Sequence, residues 1–378
     1  MSSTPDAVAE ERAPWRIHLF LFVATIVSVV ATGLEWSDGP AFSRAKFGYA
    51  LRFAGSLLGV LTVHEAGHYI AARYHKVDAS LPYFIPLPLL GFGTMGAIIR
   101  MRGTIPTRKA LLDIGASGPL AGLAVAIPLY AWGVAHSTLA KVGGGGTELG
   151  NSILLTLLDH LFGPTTPPGM EPYLSPVAFG AWAGMLVTMI NLIPVGQLDG
   201  GHVAYALFGP RQNKFGLQVH RAMLVFAGVS LASYLVRDVR AGFGLHHVGD
   251  AVSNSLFWFM WFEVLALLGT WSARAQGPAG EREASEGLPV RTRLVGVVGL
   301  CALAAVGHEH SSWVLWACWF VGLALFLAME VKGGVLRPHG LLDHPPTGTA
   351  PLDPVRTGIA IVTLAFFVLL FMPTPFPL

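Results

Sequence analysis

The sequence predicts an all-α polytopic membrane protein, with about eight or nine transmembrane helices and a short membrane-associated hairpin region. Three observations predict it. Hydrophobic residues make up 53% of the 378-residue chain and charged residues only 12%, whereas soluble domains carry about a quarter charged residues. Mean hydropathy is +0.58. Apolar windows long enough to cross about 30 Å of hydrocarbon recur from end to end, separated by short polar stretches.

In chain order, the windows lie near 17–34, 51–73, 110–134, 174–193, 217–236, 254–271, 293–307, 312–331 and 356–373. Glu263 interrupts the sixth and the seventh is short, which leaves the count at eight or nine. The first window is expected to remain as an anchor, because further spans follow and no small-residue cleavage site stands behind it. Residues 1–16, with Asp6, Glu10, Glu11 and Arg12, read as a polar tail. Gly143–Gly146 read as a flexible run and Gln276–Gly287 as a solvated linker.

Lys and Arg in short loops set the orientation. The 74–109 connection holds Lys76, Arg100, Arg102, Arg108 and Lys109 against Asp78 alone, while Lys141 is the single cation of 136–172. The first is therefore expected in the cytoplasm, and alternation puts the amino terminus, 194–216, 272–292 and 332–355 there too. Arg44 and Lys46 run against this pattern, since 35–50 falls outside.

A formal net charge of +2 excludes nucleic acid as a main partner. Cys301 and Cys318 lie inside apolar stretches and form no CxxC pair, so any metal must be held by His and carboxylate. The second window contains such a set: His64-Glu65-Ala66-Gly67-His68, an HExxH pattern. On a helix the two histidines are one turn apart on one face and can share a metal ion, while Glu65 can reach a water bound to it. The competing reading is a chance match with two core histidines. Ionisable groups are costly inside a membrane span, which favours function.

A catalytic zinc wants a third protein ligand. His75 shares a helical face with His68, but seven residues along a helix is about 10 Å, too far for one ion. Tyr74 stands where a metzincin would place its last histidine. The segment Asn191-Leu192-Ile193-Pro194-Val195-Gly196-Gln197-Leu198-Asp199-Gly200-Gly201-His202 closes the fourth window. Its proline and glycines break the helix, and irregular backbone at membrane depth is tolerated where it is buried or lines a wet cavity. Asp199 can then point into a site; otherwise it is a solvated carboxylate of an interfacial turn.

HEAGH at 64–68 together with NLIPVGQLDGGH at 191–202 resembles the two signature motifs of the site-2 protease family of intramembrane zinc metalloproteases, HExxH and NxxPxxxxDG, without substitution. The resemblance implies one zinc ion per chain with His64, His68 and Asp199 as ligands. It also implies Glu65 as general acid/base and Asn191 as a group that orients substrate or stabilises the oxyanion. Gly115–Gly122 resembles a glycine-rich segment beside the site, and Pro82–Arg102 the membrane-dipping hairpin of the family. Asp343-His344-Pro345-Pro346-Thr347 resembles tails of a bacterial and plastid-related branch. A single membrane domain is expected over 17–378, with a catalytic core at about 50–210 and C-terminal helices at about 217–373, leaving no room for a PDZ or CBS module. The substrates implied are membrane-anchored proteins cut in regulated intramembrane proteolysis, in a bacterial cytoplasmic membrane with the site toward the cytoplasm. The alternatives are a metal-ion transporter, which gives Glu65 no task, and a non-catalytic membrane scaffold.

Four other polar groups carry expectations. His308-Glu309-His310 is read as an exposed turn. Glu263 either neutralises a partner such as an Arg or is solvated at the interface. His202 either supports Asp199 or is interfacial, and Asp113 is read as a helix-entry carboxylate.

Overall fold

A computed structural model describes residues 14–37, 43–88, 91–102, 105–141, 149–242, 245–275, 288–310, 312–336 and 340–376, with Pro40 and Ala284 besides. Asp6, Glu10, Glu11, Arg12, the Gly143–Gly146 run and all of Gln276–Gly287 except Ala284 lie outside the described residues.

The described helices are α1 Trp15–Glu35, α2 Arg44–Tyr74, α3 Arg108–Ala135, α4 Ile153–Phe162, α5 Pro176–Asn191, α6 Asp199–Phe208, α7 Arg211–Gly242, α8 Leu245–Ala275, α9 Val290–His310, α10 Trp313–Gly333 and α11 Pro354–Leu370. Their starts are written in the sequence. The hydroxyls of Ser43, Thr107, Ser152 and Ser175 and the carboxylate of Asp353 accept from backbone amides three residues on, at α2, α3, α4, α5 and α11. Pro176 and Pro354 then occupy first-turn positions where no amide is needed.

Six described helices are long and apolar enough to cross a membrane: α1, α3, α7, α8, α9 and α10. The chain is an all-α polytopic membrane protein. Helix α2 is 31 residues long but more polar, and it buries Phe53, Leu57, Val60 and Leu61 against its neighbours. Helices α5 and α11 are apolar and shorter, 16 and 17 residues. Arg44 and Lys46, out of place in a loop, belong to the first turn of α2.

Two loop expectations need correction. The 136–172 stretch, read as a polar loop, contains the apolar helix α4 and a strand β5 (Thr138–Lys141) paired antiparallel with β6 (Met170–Tyr173). Ten apolar residues fall below the length of a membrane window, which hid α4. His308, Glu309 and His310 are exposed as expected but form the last turn of α9 rather than a turn between helices, and His308 pairs with Asp250 at 3.3 Å.

Helices α2, α3, α5 and α6 form the inner bundle, and α11 returns to pack on α3 and α6. Close approach needs small residues: a Cβ on Gly180 of α5 would meet the Phe53 carbonyl oxygen of α2 at 2.6 Å. The hairpin expected over 82–102 is present. Its strands β2 (Tyr83–Pro86) and β3 (Thr94–Ile98) pair antiparallel, and the short strands Asp78–Ala79 and Met101–Arg102 close its base. Phe84 packs on Phe22 of α1 at 4.7 Å, and His18 Nδ1 lies 3.2 Å from the Pro82 carbonyl oxygen.

Glu263 has the Arg partner that one reading required. Arg293 of α9 reaches Glu263 of α8 at 2.6 Å and Glu330 of α10 at 2.8 Å, all three side chains being about 1% exposed or less and stitching the helices together. Removing the cation would strand two buried carboxylates, so Arg293→Ala is expected to lower unfolding stability by about 3–5 kcal/mol. Denaturant titration in detergent measures it, and a loss below about 1 kcal/mol contradicts burial of the triad.

Candidate metal centre

His64 and His68 lie four residues apart on α2, 1% and 6% exposed, so their imidazoles project from the same face. Helix α5 ends at Asn191. Pro194 has no amide to extend it, Gly196 turns the chain at φ 55°, and α6 begins at Asp199. This break carries the Asp199 carboxylate to the histidines. Asp199 Oδ2 lies 3.2 Å from both His64 Nε2 and His68 Nε2, and the two nitrogens are 3.1 Å apart. His68 Nδ1–H donates to the Ile114 carbonyl oxygen at 2.7 Å, which leaves Nε2 as a lone-pair donor.

The donor set can be tested against a zinc ion. Three ligands of a tetrahedral ion at about 2.0–2.1 Å lie about 3.3 Å from one another. The observed edges of 3.1 to 3.2 Å match that triangle. Two buried imidazole nitrogens this close to a shared carboxylate oxygen suit a cation better than a hydrophobic core, and two imidazoles with one carboxylate are zinc ligands by chemistry. The residues present fit the group.

Glu65, 4% exposed, follows His64 in sequence and stands outside the triangle. Asn191 is half-buried at the end of α5. Among the described residues no hydrogen bond joins either side chain to the three.

Helix α3 makes the room. A Cβ on Gly118 would overlap the His68 imidazole, one on Gly122 would press on the His64 ring at 3.2 Å, and one on Gly115 would meet His202 Cβ at 2.8 Å. The spacing of three and four puts these glycines on one face of α3. The Gly115–Gly122 segment thus packs helices closely, as its composition implied, and it does so against the converging side chains.

His75, set aside as too distant, instead contacts Asp113 Oδ2 at 2.7 Å. Asp113 does more than stand at a helix entry. It accepts from Arg356 Nε and Nη2 at 3.0 and 2.8 Å, tying the ends of α2, α3 and α11 together. His202 makes its hydrogen bond elsewhere than to Asp199: its Nδ1 lies 2.8 Å from His344 Nε2. No spacing rule could find these pairs, because 142 and 243 residues separate the partners.

Residues 52–235 match the model of peptidase family M50. A probable chloroplastic zinc metalloprotease of Arabidopsis thaliana, EGY1, is 34% identical over 166 residues, covering 42% of this chain and 30% of the relative. The EGY1 counterpart of Oryza sativa subsp. japonica is 32% identical over 186 residues, 48% of this chain and 32% of the relative. Arabidopsis EGY2, of the same description, is 33% identical over 174 residues, 45% and 30% of the two chains. The chain thus spans about a third of the length of these curated relatives. All three are chloroplastic, which gives the expected bacterial membrane no support. No solved structure matches. With both motifs inside the matched region and their side chains meeting, residues 52–235 of the chain are similar to peptidase family M50, the site-2 protease family.

Proposed function

We propose that this chain is an intramembrane zinc metallopeptidase that hydrolyses peptide bonds of membrane-anchored proteins in regulated proteolysis. The observation that carries the reading is the triangle of His64, His68 and Asp199, whose 3.1 to 3.2 Å edges suit one tetrahedral ion. When bound, zinc would supply Lewis acidity and a water acidified to a pKa of about 7. His64, His68 and Asp199 would hold the ion, with His68 fixed in its tautomer by the Ile114 carbonyl oxygen. Glu65 takes a proton from the attacking water and delivers it to the leaving amine nitrogen. The Asn191 amide, at the broken end of α5, donates to the substrate backbone and steadies it. The scissile segment must be unwound first, because a helix keeps its carbonyls hydrogen-bonded.

The Lys and Arg of 74–109 support a site that opens toward the cytoplasm, since the motif lies in the last turns of α2 before that segment. Side-specific cysteine labelling should then find 74–109 and 194–216 on one face of the membrane. Labelling from opposite faces would break the shared-site reading. Metal transport would use the same triangle but leaves Glu65 idle, and nothing in the geometry favours it.

Metal analysis tests the core of the proposal. The purified protein should carry one zinc per chain, and Asp199→Ala should release it. Full occupancy in Asp199→Ala would remove that residue from the ligand set.

A further inference from the structure

Helix α6, which begins with Asp199, has no side-chain cap at its first turn, Leu198 supplying none. What holds its far side is the segment 340–348, the loop between α10 and α11. Leu341, Leu342 and His344 are buried there, 5%, 6% and 5% exposed. The His344 ring stacks on Tyr205 at 4.3 Å and 24°, and its backbone amide donates to Asn213 Oδ1 at 3.1 Å.

The tautomers follow from the partners. The Pro345 carbonyl oxygen, 2.7 Å from His344 Nδ1, can only accept, so Nδ1 carries the proton and Nε2 is an acceptor. His202 Nδ1–H therefore donates to it at 2.8 Å. Burial, which pushes His344 down to about 4, keeps it neutral in this role. Asp199, His202 and Tyr205 are spaced by three residues and share one ridge of α6. The metal-site carboxylate and both contacts to the loop thus belong to one rigid surface.

We propose that His344 is a positioning residue of the metal centre: by accepting the hydrogen bond of His202 while stacked on Tyr205, it fixes the rotation of α6 and with it the aim of Asp199. The inference rests on Asp199 being a metal ligand. Packing alone would leave α6 free to rock, whereas the hydrogen bond is directional and sets its angle. Groups bonded directly to a ligand typically carry ten- to hundredfold in metal affinity, and His344, which acts on Asp199 through α6, is expected at the lower end of that range.

The test uses the full-length protein in detergent, with cobalt(II) as probe and a competing chelator. His344→Phe keeps the ring stack and removes the acceptor; Tyr205→Leu removes the stack and keeps the acceptor; His344→Gln restores an acceptor. Cobalt affinity is expected to fall about tenfold in His344→Phe, with an altered visible spectrum. It should recover most of that in His344→Gln and stay near wild type in Tyr205→Leu. Equal losses in all three would reduce His344 to packing and overturn the proposal, as would wild-type affinity and spectrum in His344→Phe. Asp199→Ala, run alongside, separates the two levels. If it alone loses cobalt, the ligand reading stands and the positioning role fails; if it retains cobalt, the ligand reading itself fails.

Discussion

Glu65→Gln should cut a single-span membrane substrate about 10²- to 10⁴-fold more slowly than the wild type while zinc stays near one per chain. Gln has nearly the shape of Glu and keeps hydrogen-bonding capacity, so the buried position next to His64 can accommodate it. It cannot take a proton at neutral pH. The metal triangle is built without Glu65, from His64, His68 and Asp199, so its geometry should survive the change. The upper end of the range is expected, because the same carboxylate must also orient the water. The measurement is cleavage and bound zinc together in a reconstituted system, with His308→Ala as a control, since His308 pairs with Asp250 outside the triangle. Near wild-type cleavage by Glu65→Gln would refute the assigned chemistry and make metal transport the next reading to test.

Gly118→Ala should damage the centre without replacing any ligand. The added methyl would overlap the His68 imidazole, and α3 cannot retreat because Gly115 already packs on α6 and Gly122 on His64. The imidazole must swing, losing either its bond to the Ile114 carbonyl oxygen or its approach to Asp199. Overpacking of this kind costs about 1–3 kcal/mol. If that strain is relieved when His68 lets go of the ion, zinc affinity falls roughly five- to 150-fold. Gly358→Ala in α11, where a Cβ meets nothing within 4 Å, should leave zinc binding unchanged. Competition with a chelator of known affinity reads both variants, and wild-type affinity in Gly118→Ala would show that His68 has room to spare.

Composition and window hydropathy made the polytopic helical class legible, because a lipid solvent imposes a length and a polarity on every segment that faces it. They failed where a segment is apolar but short, as with α4. The triangle could be anticipated in parts. The spacing of His64 and His68 on one turn is a property of the helix itself, and the helix break before Asp199 follows from Pro194 and Gly196.

Bringing Asp199 to the histidines is a different matter, since 131 and 135 residues lie between the partners. The sequence alone left that carboxylate free to be a solvated turn residue, and the family motifs favoured a ligand without giving a distance. What brings it beside the histidines is packing. The glycines of α3 let α2 and α6 close to within hydrogen-bonding distance, so one missing Cβ at Gly118 sets where His68 can stand. The same holds for polar groups outside the triangle. Glu263, Asp113 and His202 each carried two readings or a wrong one in the sequence, and Arg293, Arg356 and His344 became their partners only in three dimensions. Local periodicity reports the face on which a residue stands, whereas a buried charge or imidazole is defined by the group it meets, and only the tertiary structure supplies that group.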